Sequence, residues 1–114
     1  MSTTITNEHY TSWVRKEIAQ TITLMLIGNF CFLEGAQKIA DLRHEAAVEE
    51  FDHDFMVFVA IASEADYLPI GKIRANWQVE SLERHQPEID SVTKWAREIG
   101  EPACRSILAR FTSD

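Results

Sequence analysis

Four histidines, His9, His44, His53 and His85, are the side chains of this chain best suited to metal binding or to proton transfer near neutral pH. His44-Glu45 on one helix and His53-Asp54 on the next could in principle converge. Their spacing points the other way. There is no HExxH, no histidine pair at i,i+4 and no Cys/His cluster, the patterns by which one segment presents ligands together. The expectation is solvated helix-surface histidines, with no metal and no cofactor. Ser63-Glu64-Ala65-Asp66 sets a hydroxyl beside two carboxylates. It lacks the GxSxG elbow, and adjacent residues at a helix end do not face one another. Ser63, Glu64 and Asp66 are therefore expected to bond the backbone amides of the following turn. Paired carboxylates of the glycosidase kind can be drawn from any acidic surface. No motif carries a mechanism, so the chain is read as a protein without catalytic activity.

Cys31 and Cys104 are the only cysteines, far apart and without CxxC spacing. In a domain with an adequate apolar core they read as reduced, partly buried thiols of a cytoplasmic protein. The N-terminus shows no basic segment followed by an apolar one, so no secretory signal is expected. The apolar runs Leu24–Ile27 and Phe55–Ala62 are too short to cross a bilayer.

Charge is the most informative property. From Asp41 to Asp66 there are eight acids, Asp41, Glu45, Glu49, Glu50, Asp52, Asp54, Glu64 and Asp66, against one strong base, Arg43. The rest of the chain balances, so this stretch carries the whole net charge of −7. Such an excess opposes direct binding to nucleic acid, whose phosphates dominate affinity. It gives the molecule a directed field that steers a basic protein partner to one side. Glu45, Glu49, Glu50, Asp52 and Asp54 are the candidate partner-binding residues. Against this, charge runs commonly form solvated helix faces.

The elements that must position these residues are helical. The 114 residues suit a single domain, 1–114, with residues 1–6 expected to be disordered. Tyr10, Trp13, Val14, Ile18, Ile22 and Met25 recur at three- and four-residue steps, capped by Asn7 and stopped at Gly28-Asn29. A second helix fits Leu33 to Ala47, with Leu33, Ala36, Ile39, Ala40 and Leu42 inward; Gly35 is there for close packing. Phe51 to Ala62 is a third, capped by Asp52 or Asp54, with Phe51, Phe55, Phe58, Val59 and Ile61 mostly buried. A buried strand over Phe55–Ile61 is its rival, since periodicity alone cannot separate the two. No second strand-like run exists to pair with it.

Leu68-Pro69-Ile70-Gly71 is a loop by its turn chemistry, followed by a short helical turn over Lys72–Trp77. Leu82, Ile89, Val92, Ala96, Ile99, Ala103, Ile107 and Phe111 keep a helical period to the end. Pro87 suits a first helical position or a kink, and Gly100 with Pro102 predicts a bend or break near Glu101. Trp13 and Trp95 are expected in the core, and Trp77 partly exposed. The fold class is all-α, a compact antiparallel bundle of four to five helices.

Asp54-Phe55, Phe58-Val59, Ile61, Ser63-Glu64, Asp66 and Leu68-Pro69-Ile70-Gly71 together resemble the central motif of a family of small bacterial helical domains of unknown function. That motif runs Asp-Phe, two positions, Phe-Val, then Ile, Ser-Glu-Thr-Asp and Leu-Pro-x-Gly. Glu34-Gly35-Ala36 and Ala103-Cys104-Arg105 fit the same pattern, so the likeness spans roughly Leu33 to Phe111. Ala65 departs from it at the Thr, and Pro87 and Pro102 interrupt its last helix. The resemblance implies a bacterial origin and a helical fold more than a function; its loop motif is Ser63, Glu64, Asp66, Pro69 and Gly71. In size, acidity and lack of chemistry the chain is similar to immunity proteins, which bind and neutralise a co-encoded toxin domain. A small homo-oligomeric structural or regulatory domain is the alternative.

Overall fold

The computed structural model describes residues 3–112, with backbone alone for residues 3–7. The disorder expected over residues 1–6 falls in part outside the described residues. Four α-helices, α1 (Thr3–Ile27), α2 (Phe32–Leu42), α3 (His53–Ala65) and α4 (Val79–Thr112), make an all-α bundle. Two 3-10 turns, Arg43–Ala46 and Gly71–Asn76, link them, the second where a short helical turn is expected. α1 begins upstream of Asn7, so Asn7 is not its cap.

The neighbours are antiparallel, as the order of cross-contacts shows. Along α1, Glu17 pairs with Lys38 while Arg15 reaches Ala46. Arg15 lies over Phe111, whereas Met25 accepts from Arg97. Along α3, Asp54 meets Ser106, and Ile61 packs beside Gly100. Each series rises on one helix as it falls on the other.

Val14, Ile18, Ile22 and Met25 are fully buried, the inward face that the spacing predicts. α1 ends in a Schellman motif: the N–H of Gly28 donates to Met25 and that of Asn29 to Leu24, with Gly28 in the left-handed region at φ 83°. Gly35 permits the tight α1–α2 contact, since a Cβ there would lie 2.3 Å from Met25 Sδ. α3 is a helix and not a strand. Asp52 caps it, its Oδ1 accepting from the amides of Asp54 and Phe55 at 3.1 and 3.3 Å, and Phe55, Phe58 and Ile61 are fully buried.

Several expectations are corrected. Phe51 is 76% exposed, because α3 starts at His53 and leaves Phe51 on the solvent side of the cap. Val59 is only half-buried. Trp13 is exposed, lying about 100° round the helix from Val14; Trp95, also expected in the core, is 36% exposed. The second helix leaves α geometry after Leu42, and Ala47 closes its 3-10 turn at φ 57°. α4 runs unbroken through Pro87 and Pro102. The missing N–H at Pro102 forfeits one bond, while Glu101 pairs with Arg97 at 2.9 Å and with Arg105 at 3.7 Å across that turn. Gly100, pressed against the Phe32 ring and Ile61, supplies the close contact that holds the segment straight onto the core.

Candidate functional site

The acidic residues divide by what they touch. Arg110 Nη2 donates to Asp52 Oδ2 at 2.6 Å and its Nη1 to Asp54 Oδ2 at 3.0 Å. Ser106 adds a bond to Asp54 at 2.6 Å. The Arg110 hydrogen bond, with the amides of Phe55 and Asp54, holds the Asp52 carboxyl below its ordinary value against the opposing effect of burial. These two acids join the start of α3 to the end of α4 and share the one guanidinium of Arg110, so their charge is only partly met. Glu45 accepts from the Tyr10 hydroxyl, whose pKa that bond raises. Glu49 and Glu50 are exposed.

Between these anchors runs a loop, residues 47–52. Its entry is held by Arg15, whose Nε donates to the Ala46 carbonyl at 2.8 Å and whose Nη2 donates to that of Ala47 at 3.1 Å. Ala47 adopts a left-handed conformation that costs an alanine about 1 kcal/mol. The Asp52 amide bonds the Glu49 carbonyl at 3.0 Å, and Asp52 itself is clamped by Arg110. Glu49, Glu50 and Phe51 thus stand out from a loop braced at both ends. Phe51 and the pair Tyr10–Trp13, stacked at 6.1 Å, are the residues that sequence reasoning placed in the core and missed as surface features. For Phe51 a signal was present: it is a lone apolar residue among Glu49, Glu50, Asp52 and His53.

The loop motif serves the fold. Ser63, Glu64 and Asp66 are exposed; main-chain bonds from Asp66 to Ser63 and from Leu68 to Ala65 shape the exit of α3. Among the described residues their side chains do not make the expected capping bonds. Leu68, Pro69 and Ile70 are buried, Arg74 Nη1 donates to the Pro69 carbonyl at 3.4 Å, and Gly71 takes φ 67° against the Glu34 carboxylate. An open groove of about 780 Å³ runs beside this loop, lined in part by Glu34, Lys38, Asp41, Asp66, Leu68 and Lys72. Its lining contains no hydroxyl, thiol or imidazole, and its charged groups are Glu34, Lys38, Asp41, Asp66 and Lys72.

His9, His44 and His53 are exposed, and His85 is half-buried with Nδ1 2.8 Å from the Ser81 carbonyl and its ring edge-on to Trp77. Among the described residues no group of three or more His, Cys, Asp or Glu is placed to hold a metal ion. Both cysteines are free: Cys31 exposed, Cys104 buried, where desolvation pushes its thiol up to about 12. No described helix is long and apolar enough to cross a membrane. No protein-family model, curated protein or solved structure matches this chain.

Proposed function

We propose that this protein is a cytoplasmic, non-catalytic binding protein of the immunity type, which neutralises a co-encoded toxin domain by covering a basic substrate groove. A bacterial source and the likeness to the helical domain family belong to the same proposal. The observation that supports it is Phe51: a phenylalanine 76% exposed on a braced loop, beside the exposed Glu49 and Glu50. An aromatic anchor with a charged rim is the anatomy of a protein-binding hot spot. A nuclease-type groove presents basic residues for phosphate, and carboxylates at the rim complement them and speed encounter. Asp52 and Asp54 share the one guanidinium of Arg110, so they brace the exit of the loop and add less free charge than Glu49 and Glu50.

The test begins with co-purification of the protein with the product of the adjacent gene. Phe51→Ala should then raise Kd about tenfold or more, the cost of removing a hot-spot aromatic, with the thermal midpoint unmoved. A partner bound as tightly by the variant as by the parent, or no partner among adjacent gene products, defeats the reading.

A further inference from the structure

α1 carries two apolar faces, and the bundle uses one. Val14, Ile18, Ile22 and Met25 face the core, yet Tyr10, Trp13, Leu24 and Ile27 are 47%, 56%, 41% and 63% exposed. With Glu17 and Gln20 the exposed residues form a stripe at positions 10, 13, 17, 20, 24 and 27, alternating steps of three and four. That is the seam of a two-helix coiled coil. Single exposed apolar residues are ordinary on a protein surface; four large ones in register on one helix are not.

The stripe has a second property. It reads the same from either end about a centre between Ile18 and Ala19, and its residue types are complementary under that reversal. Tyr10 falls opposite Ile27, Trp13 opposite Leu24, and Glu17 opposite Gln20. We infer that α1 pairs antiparallel with α1 of a second copy of this chain about a two-fold axis at that centre.

Each pairing has a physical basis. The aromatic end of one helix meets the aliphatic end of the other, so large and small side chains interleave along the seam. The only charge on the stripe, Glu17, is already paired with Lys38 at 3.0 Å, and opposite it the second copy's Gln20 offers an amide N–H to the same carboxylate. An open groove of about 430 Å³ between α1 and α4, lined by Thr23, Leu24 and Leu108 among others, lies where the second copy's Trp13 arrives. Tyr10 and Trp13 are already stacked, so little side-chain order is lost on docking.

Charge favours this face over the others. Residues 8–27 hold Glu8 and Glu17 against Arg15 and Lys16 and are neutral, whereas the surplus of −7 lies within residues 41–66. Of the acidic stretch, Glu45 reaches the seam at its Tyr10 end, where the Tyr10 hydroxyl donates to it. With helix axes 8–10 Å apart, a contact about 26 Å long covers on the order of 600 Å² per copy, at the lower end of specific interfaces. That area suits a reversible, concentration-dependent dimer. The inference is independent of the toxin reading, because it concerns α1 and not the loop at Phe51.

Sedimentation equilibrium tests it directly. The parent protein should pass from monomer to dimer as concentration rises to about 500 µM, a range set by an interface of this size. Trp13→Glu alone and Leu24→Lys alone should each raise the dimer Kd tenfold or more while far-UV circular dichroism stays helical. The double variant sets opposite charges across the seam twice, and should return to within a few-fold of the parent. A parent that stays monomeric, single variants that dimerise as it does, or a double variant as weak as the singles would each overturn the proposal. Cys31 gives a readout needing no substitution. Antiparallel pairing holds the two copies of this exposed thiol more than about 25 Å apart, so mild oxidant should leave the dimer unlinked. A disulfide-linked dimer as the main product would mean a different geometry.

Discussion

Asp52 and Arg110, 58 residues apart, form the clasp of the bundle: the carboxylate that caps α3 also receives the guanidinium from the last turn of α4 at 2.6 Å. One side chain thereby sets where α3 starts, how the preceding loop leaves it and where α4 lies. The bond is charge-assisted and two-pronged through Asp54, which makes it stronger than an isolated surface pair.

Acid should open this clasp. The folded-state pKa of Asp52 is depressed, chiefly by Arg110, so its stabilisation is complete above the ordinary value of 3.8 and is lost as pH falls through the folded value. Asp52→Ala should cost about 1–2 kcal/mol at pH 7, from the cap and the ion pair together. Asp52→Asn keeps a cap acceptor, so it should cost less and flatten the stability profile below pH 4. Urea titrations at pH 3 to 7 measure both; an Asp52→Asn profile that parallels the parent's contradicts the assignment.

Gly35 sets two effects against each other. Replacing a helical glycine by alanine gains about 1 kcal/mol of propensity. Here the new Cβ would lie 2.3 Å from Met25 Sδ and 2.5 Å from its Cγ, in a fully buried site. Overpacking of this kind costs roughly 1–3 kcal/mol, and moving Cγ clear needs a change of the Met25 χ1 rotamer inside a packed site. Gly35→Ala should therefore destabilise by about 1 kcal/mol, and a stabilised variant in chemical denaturation would show that Met25 repacks freely.

Two phenylalanines seven residues apart should behave oppositely. Phe58 is fully buried, so Phe58→Ala should cost about 3–5 kcal/mol. Phe51 is mostly in water, and Phe51→Ala should change stability by no more than about 0.5 kcal/mol. Equal losses in thermal melts would place Phe51 in the core after all.

The helices were legible because each buries one face, and burial leaves a period in the sequence. The inward residues of α1 follow from such a period. The helical nature of α3 rests instead on the lack of a second strand-like run, and the 3-10 turn Gly71–Asn76, which buries no residue, leaves no period of its own. Phe51 misled because either Asp52 or Asp54 could cap α3, and that choice decides whether the ring lies inside the helix or before it. Trp13 misled because it flanks the inward stripe and extends a second one, which periodicity alone does not distinguish from a broad first. The division of the acids was invisible for a different reason. Whether a carboxylate is free or clasped depends on a partner such as Arg110, brought in by tertiary packing across half the chain.

The cysteines should label at different rates. Cys31 is exposed at the start of α2, whereas Cys104 is buried with its thiol pushed up to about 12. Desolvation raises the Cys31 thiol above its ordinary value too, so at pH 8 Cys31 should react more slowly than a free thiol, and Cys104 only as fast as the fold opens. Denaturant should reveal two without added reductant. Two fast thiols would contradict the burial of Cys104, and none would mean a disulfide.

The final prediction separates recognition from architecture within one acidic stretch. Glu49 and Glu50 are exposed, and Asp52 and Asp54 hold Arg110. Glu49→Lys with Glu50→Lys should leave stability within about 0.5 kcal/mol of the parent. Asp52→Lys should destabilise by more than Asp52→Ala does (about 1–2 kcal/mol), since it removes a cap and sets a cation against Arg110. If a basic partner docks at Phe51, the glutamate double variant should associate with it severalfold more slowly, with little change in dissociation. The parent's association rate should fall steeply with salt, because exposed charges are screened over about 10 Å at 0.1 M. Stopped-flow mixing at several salt concentrations measures this. An association rate indifferent to both salt and the double variant would leave Glu49 and Glu50 as solvating residues, and any binding at Phe51 would then rest on apolar contact alone.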